Sequence, residues 1–379
     1  MTGGVSTFAY ELSRHMGLAG HDVMALAPDC GITEVDQAHA EAVGVDLRSV
    51  PFYKKDTPKP LWYLMFPIYL LSYLFTALLK TRLHGRGPIL AAYWFPDGYI
   101  AKLTARMLGT KFYVTAHGLD ILRNADNPSK SRRLIKTLSA ADKVFCVSSY
   151  TADRLRGAGL QREQIVNIPN GVDLNTFQPD EGLGHEVRQK YGLEGKFVIL
   201  TVGRLVLRKG HATVISAMPK ILERHPDAVY LVAGDGPEAE NIEALADELG
   251  VRDKLLMLGA IAASELVGLY NACDIFAMPN FIGPNPWDVE GFGIVFLEAA
   301  ACGKPVIAGD SGGAVDAIED EKSGFLVAER DVDQLASAVN KLLGDAGLRA
   351  QMGSYGLDRA RTHFNWMYIA KRYSQEMGL

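Results

Sequence analysis

Short runs of β-branched and other apolar residues alternate along the chain with stretches whose apolar positions recur every three or four residues. The first pattern is typical of strands and the second of amphipathic helices, and their alternation predicts parallel sheets covered by helices. Nearly all of these strands lack polar alternation, as strands buried on both faces do. The predicted strands are 22–27, 88–92, 111–115, 143–147 and 165–168 in the first half, and 197–202, 228–233, 255–258, 274–278 and 305–308 in the second. The pattern therefore predicts an α/β protein with two Rossmann-like domains.

The boundary between the domains is predicted within 169–179, where Pro, Asn and Gly cluster in PNGVDLNTFQP. We assign 1–175 to the first domain, 176–358 to the second, and 359–379 to a final amphipathic helix. The length of 379 residues is enough for two separate cores. Ligands of such folds bind beyond the carboxyl ends of the strands, so a cleft between the domains is the expected site.

The chain starts with a glycine turn that runs into a helix, in MTGGVSTFAYELSRHM. A doubly wound sheet normally has a strand ahead of such a turn, and we find none before Gly3 and Gly4. We also find no basic and apolar leader there. The cysteines are widely spaced in apolar runs, which predicts buried free thiols and a reducing compartment. They are Cys30, Cys146, Cys273 and Cys302.

Charge is distributed unevenly between the two halves. Residues 1–175 carry 20 Lys and Arg against 15 Asp and Glu, whereas the remainder carries 19 against 29. The positive first half favours an anionic partner or a membrane surface for that half. Nucleic acid is not expected as a ligand, because no dense Lys/Arg stripe with interleaved aromatic residues is present.

The segment 61–79 has no charged residue and is almost long enough to span a bilayer. A spanning helix is disfavoured, because it would separate the first strands of a sheet from the rest. A helix packed on the sheet and an interfacial helix resting on anionic lipid remain open alternatives. The basic helix around 130–136 favours the membrane surface.

Glycine-bearing turns occur where four predicted strands or loops meet helices, at Gly3 and Gly4, 203–210, 234–236 and 291–293. Such turns let backbone amides and a helix N-terminus approach an anion, and several together indicate a nucleoside diphosphate. Arg204 and Lys209 lie five residues apart in the second of these turns. A rigid guanidinium and a point charge together suit a departing diphosphate. We expect Arg208 to be a solvated surface cation.

Two carboxylates and one histidine complete the set of candidates. If a helix starts near Gly293, Glu290 lies in the loop before it and Glu298 on its second turn, so that they reach different parts of one ligand. Carboxylates accept hydrogen bonds from the vicinal hydroxyls of a sugar or ribose. Because the neighbours of Glu298 are apolar, that carboxylate should have a partner. His117 ends an apolar strand of the first domain and is placed to border the expected cleft.

Two further motifs admit other interpretations. GDGPEA at 234–239 matches the dinucleotide pattern GxGxxA, which keeps an NAD-linked oxidoreductase as the alternative enzyme class, although the acidic residue that should follow is not convincingly placed. DVD at 331–333 matches a metal-diphosphate motif, but it precedes a helix and is better explained by capping. We therefore predict neither a metal nor a cofactor.

The motifs in combination resemble a known family. GG at the start, TAHG at 115–118, PNGVDLNTF at 169–177, VGRLVLRKG at 202–210 and EGFGIVFLEAAACGKPVIAG at 290–309 resemble GT-B-fold retaining glycosyltransferases of family four. The second domain looks most like GDP-mannose-dependent phosphatidylinositol mannoside mannosyltransferases. The resemblance implies two Rossmann-like domains facing a cleft, with the last helix returning to the first domain. It also implies transfer of a hexose from GDP-mannose, or alternatively from a UDP-sugar, to a lipid-linked or polysaccharide acceptor.

Residue by residue, the resemblance implies that Arg204 and Lys209 hold the donor diphosphate and that Glu298 takes the ribose hydroxyls. Glu290 would contact hydroxyls of the transferred sugar. The remaining contacts would come from the backbone of Gly291, Phe292 and Gly293, from His117 near the 6-hydroxyl, and from the Gly3 and Gly4 turn against the diphosphate. No motif supplies a carboxylate nucleophile for double displacement. The family instead implies front-face attack. From the charge pattern, the cysteines and the segment 61–79, we expect a cytoplasmic enzyme held peripherally at the inner face of the cell membrane. A scaffold without catalysis is disfavoured by the intact set of charged residues.

Overall fold

The computed structural model describes residues 4–28, 40–50, 59–125 and 128–379. The chain forms two compact α/β units. One consists of Met1–Ile168 together with Trp366–Leu379, and the other of Pro169–Asn365. The observed division lies directly before the PNGVDLNTF stretch, whereas the boundary predicted after residue 175 lies within that stretch.

All strand pairs of the first unit are parallel within the described ranges, and they form a two-stranded and a four-stranded sheet. The strands are β1 (Val23–Pro28) beside β2 (Val45–Val50), and, in sheet order, β3 (Ile89–Ala91), β4 (Phe112–Ala116), β5 (Lys143–Cys146) and β6 (Ile165–Asn167). Of these, β2 was not predicted. Its sequence VDLRSV alternates polar with apolar residues, and Asp46 pairs with Arg48 at 2.6 Å on its polar face.

Helices precede and connect the strands of the first unit. The α-helices whose two ends are both described are α1 (Gly4–Leu18), α2 (Lys59–Leu83), α3 (Tyr99–Leu108), α4 (Leu119–Ala125), α5 (Pro128–Leu138) and α6 (Ser149–Gly157). The apolar segment 61–79 lies within α2, whose buried side packs Tyr69, Tyr73 and Ala77 against Ile100. Among the described helices, none has both the length and the apolar character that crossing a bilayer requires.

The second unit is built on a six-stranded parallel sheet with the order β12-β11-β10-β7-β8-β9. The strands are β7 (Phe197–Val202), β8 (Ala228–Ala233), β9 (Leu255–Met257), β10 (Ile275–Met278), β11 (Val306–Gly309) and β12 (Gly324–Val327). Chain order reverses at β7, which lies between β8 and β10. The crevice beyond the carboxyl ends of β7 and β10 is therefore the topological switch point, where ligands of doubly wound sheets bind.

Eight helices cover this sheet. They are α7 (Glu181–Lys190), α8 (His211–Leu222), α9 (Ala239–Glu248), α10 (Ala263–Ala272), α11 (Ile294–Ala301), α12 (Ala314–Ala317), α13 (Val332–Gly344) and α14 (Ala346–His363). The side chain of Asp331 accepts a hydrogen bond from the backbone N–H of Gln334 at 2.9 Å and so caps α13. This confirms the capping interpretation of the DVD motif.

The last helix, α15 (Trp366–Met377), belongs to the first unit. Its Tyr373 ring lies 4.5 Å from that of Phe145, and Tyr113 donates a hydrogen bond to the carbonyl of Met377 at 3.0 Å. The return of the chain to the first unit is thus confirmed. The predicted final segment 359–379 spans two helices, since α14 ends at His363 and α15 begins at Trp366, and between them the carbonyl of Phe364 accepts a hydrogen bond from Val172 N–H at 2.7 Å.

Candidate active site

The site in the second unit starts from the loops that leave β7 and β10. Since these strands are neighbours, the loop 203–210 and the loop 279–293 meet at one edge of the sheet. Gly210 has a positive φ of 75°, and a Cβ added there would lie 2.1 Å from the carbonyl oxygen of Pro279. Glycine is therefore required at the point where the two loops approach each other.

Lys209 and Glu290 form an ion pair across these two loops. The distance from Nζ to Oε2 is 2.6 Å, and the side chains are only 10% and 13% exposed. Burial by itself would raise the pKa of Glu290, but the charges of Lys209 and Arg208 outweigh it and leave that pKa below its ordinary value. The site therefore holds an ionised carboxylate beside a buried ammonium group.

Arg204 lies at the start of the same loop and is exposed. Within the described part of the chain, its guanidinium makes no ion pair, so it is available to an anion from solution. Arg208, in contrast, is not the solvated cation expected from the sequence. Its side chain is about one fifth exposed and lies 3.2 Å from Asp288 in the loop after β10. Arg208 therefore links the two loops a second time.

Glu298 lies on the second turn of α11, as predicted, and is half-buried. The Tyr270 hydroxyl on α10 donates a hydrogen bond to Glu298 Oε2 at 2.6 Å. Burial raises the pKa of Glu298 to about 7, while this hydrogen bond and the charge of Lys209 act against the increase. The partner expected for Glu298 is thus Tyr270. Tyr270 was not predicted from the sequence, because it lies in an apolar helix and has the pattern of a core residue.

Gly293 lets the backbone turn tightly into α11. Gly293 has a φ of 87° and directly precedes the first helical residue. A Cβ on Gly313 would lie 2.0 Å from the carbonyl oxygen of Gly291, so a second loop is packed closely against this turn. The Phe292 side chain is buried, and its backbone N–H is directed to the carboxylate of Glu290. The turn thus holds Glu290 as well as beginning the helix.

The GDG turn after β8 has a packing explanation. A Cβ on Gly234 would lie 1.9 Å from the carbonyl oxygen of Gly203, and one on Gly236 would lie 2.3 Å from that of Leu205. Both glycines are therefore needed for the close approach of this turn to the loop after β7. The match to the dinucleotide pattern follows from this contact between neighbouring loops.

The first unit places His117 directly after β4. Its ring contacts Phe8 of α1 edge-on at a centroid distance of 4.7 Å and lies 6.1 Å from the ring of Tyr93. Burial lowers the pKa of His117 to about 4, against a smaller opposing contribution from the backbone of Ala92. Gly4 begins α1 one turn before Phe8, whereas Gly3 lies outside the described residues.

Two family models match the chain. Residues 2–176 match Glycosyltransferase Family 4, and residues 185–359 match the glycosyl transferases group 1. A GDP-mannose-dependent alpha-(1-6)-phosphatidylinositol monomannoside mannosyltransferase from Mycolicibacterium smegmatis is 35% identical over 74% of this chain and 75% of its own length. The chain belongs to the family 4, group 1 glycosyltransferases.

Other comparisons agree with this assignment. A GDP-mannose-dependent monoacylated alpha-(1-6)-phosphatidylinositol monomannoside mannosyltransferase from Corynebacterium glutamicum is 34% identical over 71% of this glycosyltransferase and 70% of its own length. The solved structure of Anabaena Alr3699/HepE with UDP and glucose superposes with a TM-score of 0.79 at 21% identity, covering 100% of this chain and 96% of the other. The fold of this glycosyltransferase is therefore GT-B, and the alternative of an NAD-linked oxidoreductase is wrong.

The candidate residues of the glycosyltransferase fall into two groups. Lys209, Glu290 and Glu298 lie together in the second unit, with Arg204 at the start of the same loop as Lys209. Gly4 and His117 belong to the first unit. Sequence reasoning missed Asp288 and Tyr270, whose contacts depend on which strands and helices are neighbours.

Proposed function

We propose that this glycosyltransferase moves mannose from GDP-mannose, with retention of the anomeric configuration, to a lipid-linked or polysaccharide acceptor. The observation that carries the proposal is the pairing of Lys209 with Glu290 at the switch point of the second unit, beside the exposed Arg204. The names of the two mannosyltransferase relatives support the donor. A sugar diphosphate brings both hydroxyls and negative charge, which the carboxylates and cations of this region complement.

We assign each candidate residue a contact with the donor. Arg204 and Lys209 would bind the diphosphate, Glu298 the ribose hydroxyls, and Glu290 the hydroxyls of the mannose. Further contacts are assigned to the turn 291–293, to His117 near the 6-hydroxyl, and to Gly3 and Gly4 against the diphosphate. These assignments agree with the ionised state of Glu290 and with the neutral ring of His117.

The chemical step that we propose is front-face substitution. The bond between the anomeric carbon of mannose and the diphosphate oxygen breaks, and a bond from that carbon to the acceptor oxygen forms on the same face. The acceptor's hydroxyl proton passes to the departing diphosphate oxygen. Lys209 and Arg204 stabilise the negative charge that develops on the diphosphate, in a region that holds charged groups in fixed positions.

A panel of sugar nucleotides, assayed for release of the nucleoside diphosphate, tests the donor. We expect GDP-mannose to be turned over and Glu290→Ala to abolish this turnover. Glu265→Ala is the matched control, because Glu265 is an exposed carboxylate paired with Lys190 on the surface. If only a UDP-sugar is turned over, the donor in this proposal becomes a UDP-sugar instead of GDP-mannose. Alr3699/HepE, whose structure contains UDP, suggests that donor class. Absence of binding to any sugar nucleotide would overturn the proposal.

A lipid-linked acceptor requires access to a membrane, and the outward face of α2 is suited to one. Six large apolar side chains on this face are between 42% and 72% exposed. They are Met65, Ile68, Leu71, Phe75, Leu79 and Leu83. We call them the α2 stripe. Their spacing of three or four residues places them on one side of the helix, opposite the buried Tyr69, Tyr73 and Ala77.

Cations cluster on α3, the helix whose Ile100 packs against the buried side of α2. A run of ring contacts leads from Phe66 of α2 to Phe95 at 6.1 Å and on to Tyr99 at 6.5 Å, and the ammonium group of Lys102 lies over the Tyr99 ring. Burial and the charges of Lys136 and Arg106 lower the pKa of Lys102, so these cations are neighbours. An exposed apolar stripe and clustered cations in the same unit together complement an anionic lipid surface. We propose that the enzyme associates peripherally with the inner face of the cell membrane through this face.

Sedimentation with vesicles tests this association. We expect binding to vesicles that contain phosphatidylserine, weaker binding to phosphatidylcholine alone, and loss of binding in the double variant Ile68→Ser, Phe75→Ser. Leu249→Ser is the control, because Leu249 is an exposed leucine of the second unit. Equal vesicle binding by the double variant and the wild type would contradict the assignment of this face.

A further inference from the structure

A chain of buried hydrogen bonds lies beneath the loop 203–210. His211 is the first residue of α8, and its Nδ1 lies 3.0 Å from the Tyr230 hydroxyl on β8. That hydroxyl lies 2.9 Å from Oγ1 of Thr201 on β7, which donates a hydrogen bond to the carbonyl of Ala277 on β10. The chain therefore crosses three neighbouring strands, and all four residues are almost completely buried.

The direction of these hydrogen bonds is fixed by the carbonyl at one end. Because Thr201 donates its only hydroxyl hydrogen to the carbonyl of Ala277, the Thr201 oxygen must accept a hydrogen bond from the Tyr230 hydroxyl. The Tyr230 oxygen must in turn accept from His211, so Nδ1 carries the hydrogen of the imidazole. The backbone of the sheet thus orients a histidine through two intervening side chains.

Both ends of the loop meet at this histidine. Arg204 lies at the start of the loop, and its backbone adjoins the His211 ring. Lys209 lies at the end, separated from His211 only by Gly210. Burial, followed by the charge of Lys209, lowers the pKa of His211 to about 4, which leaves the ring neutral beside that lysine.

The loop needs such support because glycine occurs at both of its ends. Gly203 has a φ of 147° and Gly210 one of 75°, and glycine has more backbone freedom than any other residue. A Cβ added at Gly203 would lie 3.8 Å from Lys209 Nζ, so the lysine reaches back across the loop towards Glu290. The position of the Lys209 ammonium group therefore depends on the conformation of the whole loop 203–210.

We propose that His211 is a positioning residue, which fixes the loop to the sheet through Tyr230 and Thr201 and thereby presents Lys209 to the donor's diphosphate. This inference rests on the proposed function. In this proposal, His211 lies outside the candidate site but keeps the loop 203–210 in the conformation that binds the second phosphate group of the donor.

Binding of GDP and of GMP, measured by calorimetry, separates positioning from general stability. His211→Phe keeps a flat ring but loses the hydrogen bond, and Tyr230→Phe removes the acceptor. We expect each variant to weaken GDP binding ~10-fold, the loss of one well-placed hydrogen bond or charge contact, while GMP binding stays unchanged. His211→Asn, which keeps a donor near the place of Nδ1, should restore most of the GDP affinity. Tyr373→Phe, a buried tyrosine of the first unit, is the control and should change neither affinity.

A double-mutant cycle with Lys209→Met tests the route of the effect. If His211 acts through Lys209, His211→Phe should have no further effect on GDP affinity in the Lys209→Met background. Equal losses of GDP and GMP affinity, or additive losses in the cycle, would overturn the inference and leave the proposed function intact. Failure of the wild type to bind either GDP or UDP would overturn both. Thermal unfolding of each variant shows whether it is folded when these affinities are measured.

Discussion

The strand ends of the second unit carry paired charges, whereas those of the first unit carry aromatic rings. Lys209, Glu290 and Glu298 lie together after β7 and β10, and one carboxylate has a lowered pKa while the other has a raised one. His117 after β4 instead lies against Phe8 and Tyr93 and is neutral. Two units that are both built from parallel strands and helices thus differ in the chemistry that their loops supply. The second is suited to an anion, and the first to hydroxyl and apolar groups.

The largest effect should come from removing the cation of the second unit. Lys209→Met takes away the proposed diphosphate contact and leaves the Glu290 carboxylate buried without its partner, so we expect kcat/KM to fall ~10²–10³-fold. The free energy of unfolding should fall by ~3–5 kcal/mol, because an unpaired buried charge is costly. Steady-state kinetics and urea unfolding measure the two effects.

Adding Glu290→Gln to Lys209→Met sharpens this comparison. The double variant should recover much of the lost stability, since the unpaired charge is gone, but none of the activity. Lys190→Met is the control, because Lys190 forms an exposed pair with Glu265. Full activity in Lys209→Met would remove that lysine from the site.

A smaller effect should follow from changing the partner of Glu298. With a pKa of about 7, Glu298 is partly protonated near neutral pH, and Tyr270→Phe should raise this pKa further by removing a hydrogen bond to the charged form. If Glu298 accepts hydrogen bonds from ribose only as a carboxylate, GDP should bind more tightly as the pH rises through about 7. In Tyr270→Phe the same increase in GDP affinity should occur at a higher pH. Calorimetric titrations of GDP across this range measure the shift.

The same pKa has a defined consequence for stability. Because the pKa of Glu298 in the folded protein exceeds its ordinary value of 4.5, the folded state binds the proton more tightly than the unfolded state. The contribution of Glu298 to the free energy of unfolding should therefore decline as the pH rises from 4.5 to about 7. Wild-type GDP affinity that does not vary with pH across the neutral range would contradict the assigned role.

The smallest effect at neutral pH is expected in the first unit. The pKa of His117 is about 4 in the folded protein, below its ordinary 6.5, so the stability gained from burying the neutral ring is present above 6.5 and lost as the pH falls towards 4. His117→Phe should therefore change the urea midpoint little at neutral pH but make it less sensitive to acid. His363→Phe, at an exposed histidine, should leave the acid sensitivity unchanged. Equal acid sensitivity in His117→Phe and the wild type would show that this ring is not buried in solution.

Much of the fold could be predicted because buried parallel strands are apolar runs. Two strands were missed. Polar alternation makes β2 resemble a loop, and β12 is a short apolar run between two charged stretches, which resembles a loop segment. The break between α14 and α15 could not be predicted, since it depends on the contact of Phe364 with Val172, far away in the sequence.

For the site, the sequence indicated which loops carry reactive side chains but not how these pair. The need of Glu298 for a partner followed from its apolar neighbours, whereas the identity of Tyr270 depends on the packing of α10 beside α11. Arg208 was predicted wrongly because its link to Asp288 exists only when β10 lies next to β7. Pairings between distant segments are fixed by strand order, which no local pattern contains.

The position of α15 bears on how the protein is made. Phe8, Phe145 and Tyr373 belong to one apolar cluster, although the first two are synthesised long before the third. The second unit is continuous in the chain and has all its residues by Asn365. During translation, the aromatic surface of the first unit that α15 covers must therefore stay uncovered until α15 has emerged from the ribosome, and the later-synthesised second unit can complete its core first.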